Sequence, residues 1–291
     1  MVRRSRARAV APARAAGVAA AVAALATGVA AGVAGAQRAS GGTERFGAVA
    51  PAAEAMARIP TGDYLPLYGT TAERRHVDAF RLDVNPVTRG EYLAFVQANP
   101  SWRRGQVRAV YAAPGYLASW PAPLDAGPRD ALAQPVTEVS WFAARAYCAA
   151  QGKRLPTTDE WEYVAAASET ARDATRDPAF LDRLVVLSSA NAHERLAPGR
   201  GFRNAYGVRA MHGGPWEWTE DFNGIFVSAD SREAGGTARQ TDFHSVCASA
   251  AIGATDPANY PAFLRAAVRA ALDARSTMTA LGFRCAAGVG T

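Results

Sequence analysis

QPVTEVSWFAARAYCAAQGKRLPTTDEWEYVAAA, residues Gln134 to Ala167, reads as strand, helix, tight turn, helix. Ser140 is a natural N-cap, nothing from Trp141 to Gln151 breaks a helix, and Gly152 stands where a left-handed C-cap is wanted. Thr157 and Glu160 have the spacing of a capping box, in which each side chain satisfies an otherwise orphaned backbone N–H. Trp161, Val164 and Ala165 then continue an apolar face, so a second helix follows almost at once.

Outward from this unit, Thr88 and Glu91 form another capping box, with Val87 and Tyr92 spaced as a hydrophobic staple and Tyr92, Phe95 and Val96 lining one face. An ordered domain is expected to begin near Ile59-Pro60-Thr61-Gly62, after which short apolar runs alternate with Gly, Pro and Asp turns. The stretches 97–134 and 188–244 are irregular. Pro261 opens a further helix of about 13 residues, in which Phe263, Leu264, Ala267, Val268 and Ala271 repeat at helical spacing and are expected to pack inward. Few long helices and much turn chemistry predict an α+β domain with short sheets and long loops. Loops this long are usually functional or pinned by ions and disulfides.

The chain begins MVRRSRARAVAPARAAGVAAAVAALATGVAAGVAGAQ, five arginines and no acid leading a long Ala/Val run that ends in the small residues Ala34-Gly35-Ala36. That is the pattern of a secretory signal peptide over residues 1–36, and it predicts export to the periplasm or beyond the cell. An uncleaved anchor is the other reading, although the run is mostly alanine and only weakly apolar. Residues 37–55, rich in Gly, Ala and Ser, read as a flexible lead-in, which leaves 56–291 for the domain, with no membrane span once the signal is removed. The five leading arginines account for most of the +6 formal charge. The remainder holds no basic patch interleaved with aromatics, which argues against nucleic acid as a partner.

In combination, several segments resemble the formylglycine-generating enzymes, also called sulfatase-modifying factors. They are the run P-V-x-x-V-S-W, the helix ending Tyr147-Cys148, then G-K-R-L-P-T and E-W-E-Y, and later Gly213-Gly214-Pro215-Trp216-Glu217-Trp218-Thr219 and Leu281-Gly282-Phe283-Arg284-Cys285. The resemblance runs from about residue 56 to 287 and implies a C-type-lectin-like fold with little regular structure. It also implies a disulfide between Cys148 and Cys285, and it puts Ala165 and Ala266 where relatives have a second one.

Of three cysteines, Cys247 is then left over. In the active relatives two cysteines five apart bind Cu(I), and the copper thiolate activates O2 to convert a sulfatase cysteine to formylglycine. Cys247 falls at the first of these positions and Ile252 at the second. His244, three residues earlier, is a candidate replacement ligand, since copper accepts imidazole. A small buried apolar role is the plain reading of Cys247. Glu217 matches a calcium-ligand glutamate, and Ala190-Asn191 matches the start of a second calcium site whose acidic loop is shortened here. For Glu217 the plain reading is a carboxylate held between core tryptophans by a salt bridge or N–H donors.

His76, His193 and His212 lack metal-ligand spacing, and no nucleophile elbow or phosphate loop is present. Two readings stay open. One is an exported O2-dependent oxidase acting on a protein or peptide cysteine through Cys247. The other is a binding or maturation module for another exported protein. The run from Cys247 to Arg269 resembles a branch associated with copper nitrite reductases, which points to such a partner.

Overall fold

Three-residue runs bounded by Pro, Gly and Asp become strands too short to build a large sheet. The structure is a computed structural model that describes residues 56–66, 74–191, 195–196, 201–222 and 260–290. The expected signal segment and lead-in, together with His244 and Cys247, lie outside the described residues. β1 (Ala57–Ile59) pairs antiparallel with β4 (Phe80–Leu82), while β2 (Gly62–Tyr64) and β3 (Arg75–Val77) form a separate antiparallel pair. The chain's end returns to this sheet, since β7 (Ala286–Gly288) pairs with β4 in the register Leu82↔Ala286. β5 (Trp216–Glu217) and β6 (Leu281–Gly282) form a short parallel pair.

The helices start where their caps predict. Both capping boxes close, that of Thr88 and Glu91 ahead of α1 (Arg89–Ala98) and that of Thr157 and Glu160 ahead of α3 (Thr158–Ala165). Between them α2 (Trp141–Ala150) is capped by Ser140, and just beyond its end Gly152 takes φ +67°. α4 (Pro178–Ser188) lies where the sequence reading placed no element. Its signals are local all the same, with Asp177 as N-cap, Pro178 at the first turn, and Phe180 and Leu184 buried four apart. The irregular stretch 97–134 holds only two short 3-10 helices, Pro100–Trp102 and Arg129–Ala133.

α5 (Tyr260–Ala271) forms where expected but presents a different face. Its buried residues are Pro261, Ala262, Arg265, Ala266 and Arg269, while Phe263, Leu264, Ala267 and Val268 are half-buried and Ala271 is exposed. The expected apolar face is therefore rotated. The cause is Glu162 on α3, which accepts from both arginines: 2.9 and 2.6 Å from Arg265, 2.7 Å from Arg269. Two charge-assisted partners outweigh the modest gain from burying a few more methylenes.

The main core collects side chains from α1, α2 and the C-terminus. Tyr92 stacks on Tyr147 at 5.7 Å and meets Phe283 edge-on at 6.1 Å. Fully buried, the Tyr92 hydroxyl reaches that of Tyr116 at 2.7 Å, and Tyr116 donates onward to the Trp102 carbonyl. Among the described residues, no helix is long and apolar enough to cross a membrane.

Candidate functional site

The stretch that carries His244 and Cys247 is bracketed by two well-held ends. On one side Phe222 packs on Trp218 at 4.9 Å and on Trp141 at 6.1 Å, and Asp221 accepts from both the backbone N–H and the hydroxyl of Thr158 in the first turn of α3. On the other, α5 is tied to the middle of α3 through Glu162. One short helix thus holds the chain both before and after the cysteine-bearing stretch.

Beside α3 lies a layer of buried charge. The parallel pairing of β5 and β6 sets Glu217 opposite Gly282, two residues before Arg284. Gly282 is required, because a Cβ there would stand 2.6 Å from the Val136 carbonyl oxygen. Glu217 and Arg284 form a two-pronged pair at 2.7 and 2.8 Å with both side chains fully buried. The Trp161 indole N–H donates to the same carboxylate at 2.8 Å. Arg284 also donates to the carbonyls of Asp83, Val84 and Arg209, so every prong of the guanidinium is used. Glu217 is thus held by a salt bridge and an indole N–H, as the plain reading of the sequence had it.

Trp161 also receives the guanidinium groups of Arg265 and Arg269 over its ring, at 5.4 and 4.9 Å. Burial pushes the Glu162 carboxyl up, but the charges and hydrogen bonds of these two arginines more than offset that and hold it at about 2. His212 is buried next to Trp161, and its Nε2–H donates to the Ala165 carbonyl at 2.7 Å. Burial, helped by the charge of Arg265, pushes its imidazole down to about 3, so it is neutral in the fold.

Both shifts weaken the fold in acid. A depressed His212 contributes fully above its unfolded value of 6.5 and less as pH falls towards about 3. The depressed Glu162 contributes fully above its unfolded value of 4.5 and less as pH falls towards about 2. The urea midpoint, followed by tryptophan fluorescence, is therefore expected to fall continuously below about pH 6.5. His212→Gln should flatten the part between about pH 6.5 and 4.5 and leave the steeper loss below it; an unchanged profile would remove His212 from the account.

A second arginine cluster adjoins this layer. Arg195, almost wholly buried, stacks its guanidinium 4.1 Å over Trp216 and donates to the carbonyls of Ser188, Ala190 and Gly214. Its backbone N–H donates to the carbonyl of Asn191, whose side chain is exposed. The cavity left among Arg195, Trp161, Gly214, Glu217 and Arg269 is about 20 Å³, room for about one water. Calcium asks for six to eight oxygen ligands. Here both Glu217 oxygens accept from Arg284 and the Gly214 carbonyl accepts from Arg195. As folded, the oxygens around Glu217 do not fit the ion. Among the described residues, no group of three His, Cys, Asp or Glu is placed to hold a metal.

Cys148 and Cys285 form the disulfide, S–S 2.02 Å, linking positions 137 apart and tying α2 to the segment ahead of β7. Ala165 and Ala266 are both buried. The arginines were the residues that sequence reasoning missed. For Arg265 and Arg269 the available signal was their spacing of four, the helical repeat that puts two guanidiniums on one face.

Residues 40–289 match the family described as "Sulfatase-modifying factor enzyme 1-like domain". The chain is 31% identical over 182 residues to the protein named "Inactive C-alpha-formylglycine-generating enzyme 2" of Bos taurus, covering 58% of this chain and 56% of that one. It is 31% identical over 169 residues to the "Formylglycine-generating enzyme" of Streptomyces coelicolor, covering 52% of each. With the "Hercynine oxygenase" of Mycobacterium tuberculosis it shares 30% over 164 residues, 49% of this chain and 38% of that one. The chain thus spans about half or less of these relatives' lengths. Their names show that the family includes oxidases. With the family description matching most of its length and an α+β fold of short sheets and capped helices to go with it, the chain belongs to the sulfatase-modifying factor family, the formylglycine-generating-enzyme type.

Proposed function

We propose that the protein is an exported oxidase of the formylglycine-generating type, using Cys247 and O2 on a cysteine of a protein or peptide partner. The observation that carries this reading is the Cys148–Cys285 disulfide. It takes two of the three cysteines and leaves Cys247 as the one thiol able to ionise and react. Turning a cysteine side chain into an aldehyde releases its sulfur as hydrogen sulfide and takes one oxygen atom from O2. The other oxygen leaves as water, with two electrons and two protons from external thiols that end as a disulfide. Cu(I), the group that would activate O2, would be held by the Cys247 thiolate and the His244 imidazole, both ligands that copper accepts.

Ile252, at the position where the resemblance implies a second thiolate, favours another reading: a binding or maturation module for an exported partner such as a copper nitrite reductase. The relative named as an inactive enzyme is consistent with it. One experiment separates the two. Oxygen uptake with a cysteine-containing peptide and excess thiol is measured for the wild type and for Cys247→Ser, beside a Cu(I) titration against a competing chelator. The oxidase reading expects uptake and tight one-to-one Cu(I) binding in the wild type, both lost in the variant at unchanged Tm. Equal uptake in the two proteins would sink it, and no uptake in either would leave the module.

A further inference from the structure

We propose that the guanidinium of Arg195 supplies the cation of the Gly213-Gly214-Pro215 turn, so that this domain holds its fold without calcium. Three observations carry this. First, Arg195 gathers backbone carbonyls from separate segments, Ser188 and Ala190 at the end of α4 and Gly214 on the turn leading into β5. Converging carbonyls are what a hard cation collects, and here a fixed fork of N–H donors collects them. Second, one of those carbonyls, that of Ser188, is the last of α4, where the helix dipole favours positive charge. Third, the guanidinium shares its cavity with Glu217, both of whose carboxylate oxygens already accept from Arg284. A calcium ion at this turn would have to take the Gly214 carbonyl from Arg195 and the Glu217 carboxylate from Arg284.

The same geometry explains why the side chain tolerates near-complete burial. A buried cation without partners costs several kcal/mol. Arg195 offsets this with three carbonyls and the face of Trp216 at 4.1 Å. Lysine would not do the same, since an ammonium is a compact point charge without the planar fork.

The test uses the purified protein, with bound calcium measured by elemental analysis and Tm measured with EDTA, with added calcium chloride and with neither. The wild type is expected to carry less than stoichiometric calcium and to show one Tm under all three conditions. Arg195→Ala is expected to melt lower by on the order of 5–10 °C and to regain part of that loss in calcium chloride, as the freed carbonyls of Ser188, Ala190 and Gly214 accept the ion. If Arg195→Ala does not fold, Arg195→Lys is read in its place, and is expected to melt below the wild type in EDTA and to gain less from calcium. One calcium per wild-type chain, or a wild-type Tm lowered by EDTA, overturns the proposal. A variant that melts with the wild type, or that calcium does not stabilise, overturns it as well.

Discussion

Arg284→Leu is expected to cost about 3–5 kcal/mol, the range found when one partner of a buried pair is removed, and to lower Tm by about 10 °C or more. The size follows from what is left behind. Glu217 is fully buried and keeps only the Trp161 N–H, so its charge is left without compensation in the interior. The carbonyls of Asp83 and Arg209 lose the Arg284 donor in the same step, while that of Val84 keeps the Arg209 backbone N–H. Glu217→Gln should cost less than Arg284→Leu, because the amide oxygen still accepts and the stranded guanidinium keeps three carbonyls. The paired change Glu217→Leu with Arg284→Leu should cost less than the sum of the single changes, since it leaves neither charge uncompensated. Urea unfolding of the four proteins measures this directly. Additive effects would mean that the pair is not coupled and that Arg284 acts only through its carbonyls.

What could be read from the sequence divides along a physical line. α1, α2 and α3 were legible because their starts are local: a Thr or Ser with its own partner three residues on is enough to set a helix end. The chemistry of α5 was not. Its orientation depends on Glu162, about a hundred residues earlier in the chain, and apolar periodicity is blind to an acid that draws two arginines inward. The same holds at Glu217. Its motif told that it mattered, while its partner Arg284 is 67 positions away and could not be assigned by spacing. Arg195 was invisible for a third reason: its acceptors are backbone carbonyls, which every residue carries and no motif marks. The Cys148–Cys285 pairing came from family resemblance alone, since three cysteines allow three single pairings and composition does not choose among them.

Replacing both Cys148 and Cys285 by alanine is expected to remove about 5 kcal/mol in the chain-entropy account of a loop this long, and about 10–20 °C of Tm. Most of that loss should come through the unfolded state. In the fold, Cys285 is held independently of its sulfur: its backbone N–H donates to the Asp83 carboxylate at 3.0 Å and its carbonyl accepts from Asp83 N–H at 2.9 Å, beside the β4–β7 pairing. Lys153 neutralises that carboxylate at 2.6 Å. Both cysteines are fully buried among apolar side chains, so alanine strands no polar group, although it leaves a small void where the sulfurs were. The double variant should therefore keep the wild-type near-UV spectrum while unfolding at lower urea. Reducing the wild type should bring its urea midpoint down to that of the variant, and the variant should not respond to reductant. A thiol titration in denaturant closes the argument, with one reactive group per chain expected in both proteins before reduction, that of Cys247. Three thiols in the unreduced wild type would refute the pairing. A double variant as stable as the wild type would instead show that the hydrogen bonds of Asp83 already restrain the C-terminal strand in the unfolded ensemble, leaving the disulfide little entropy to remove.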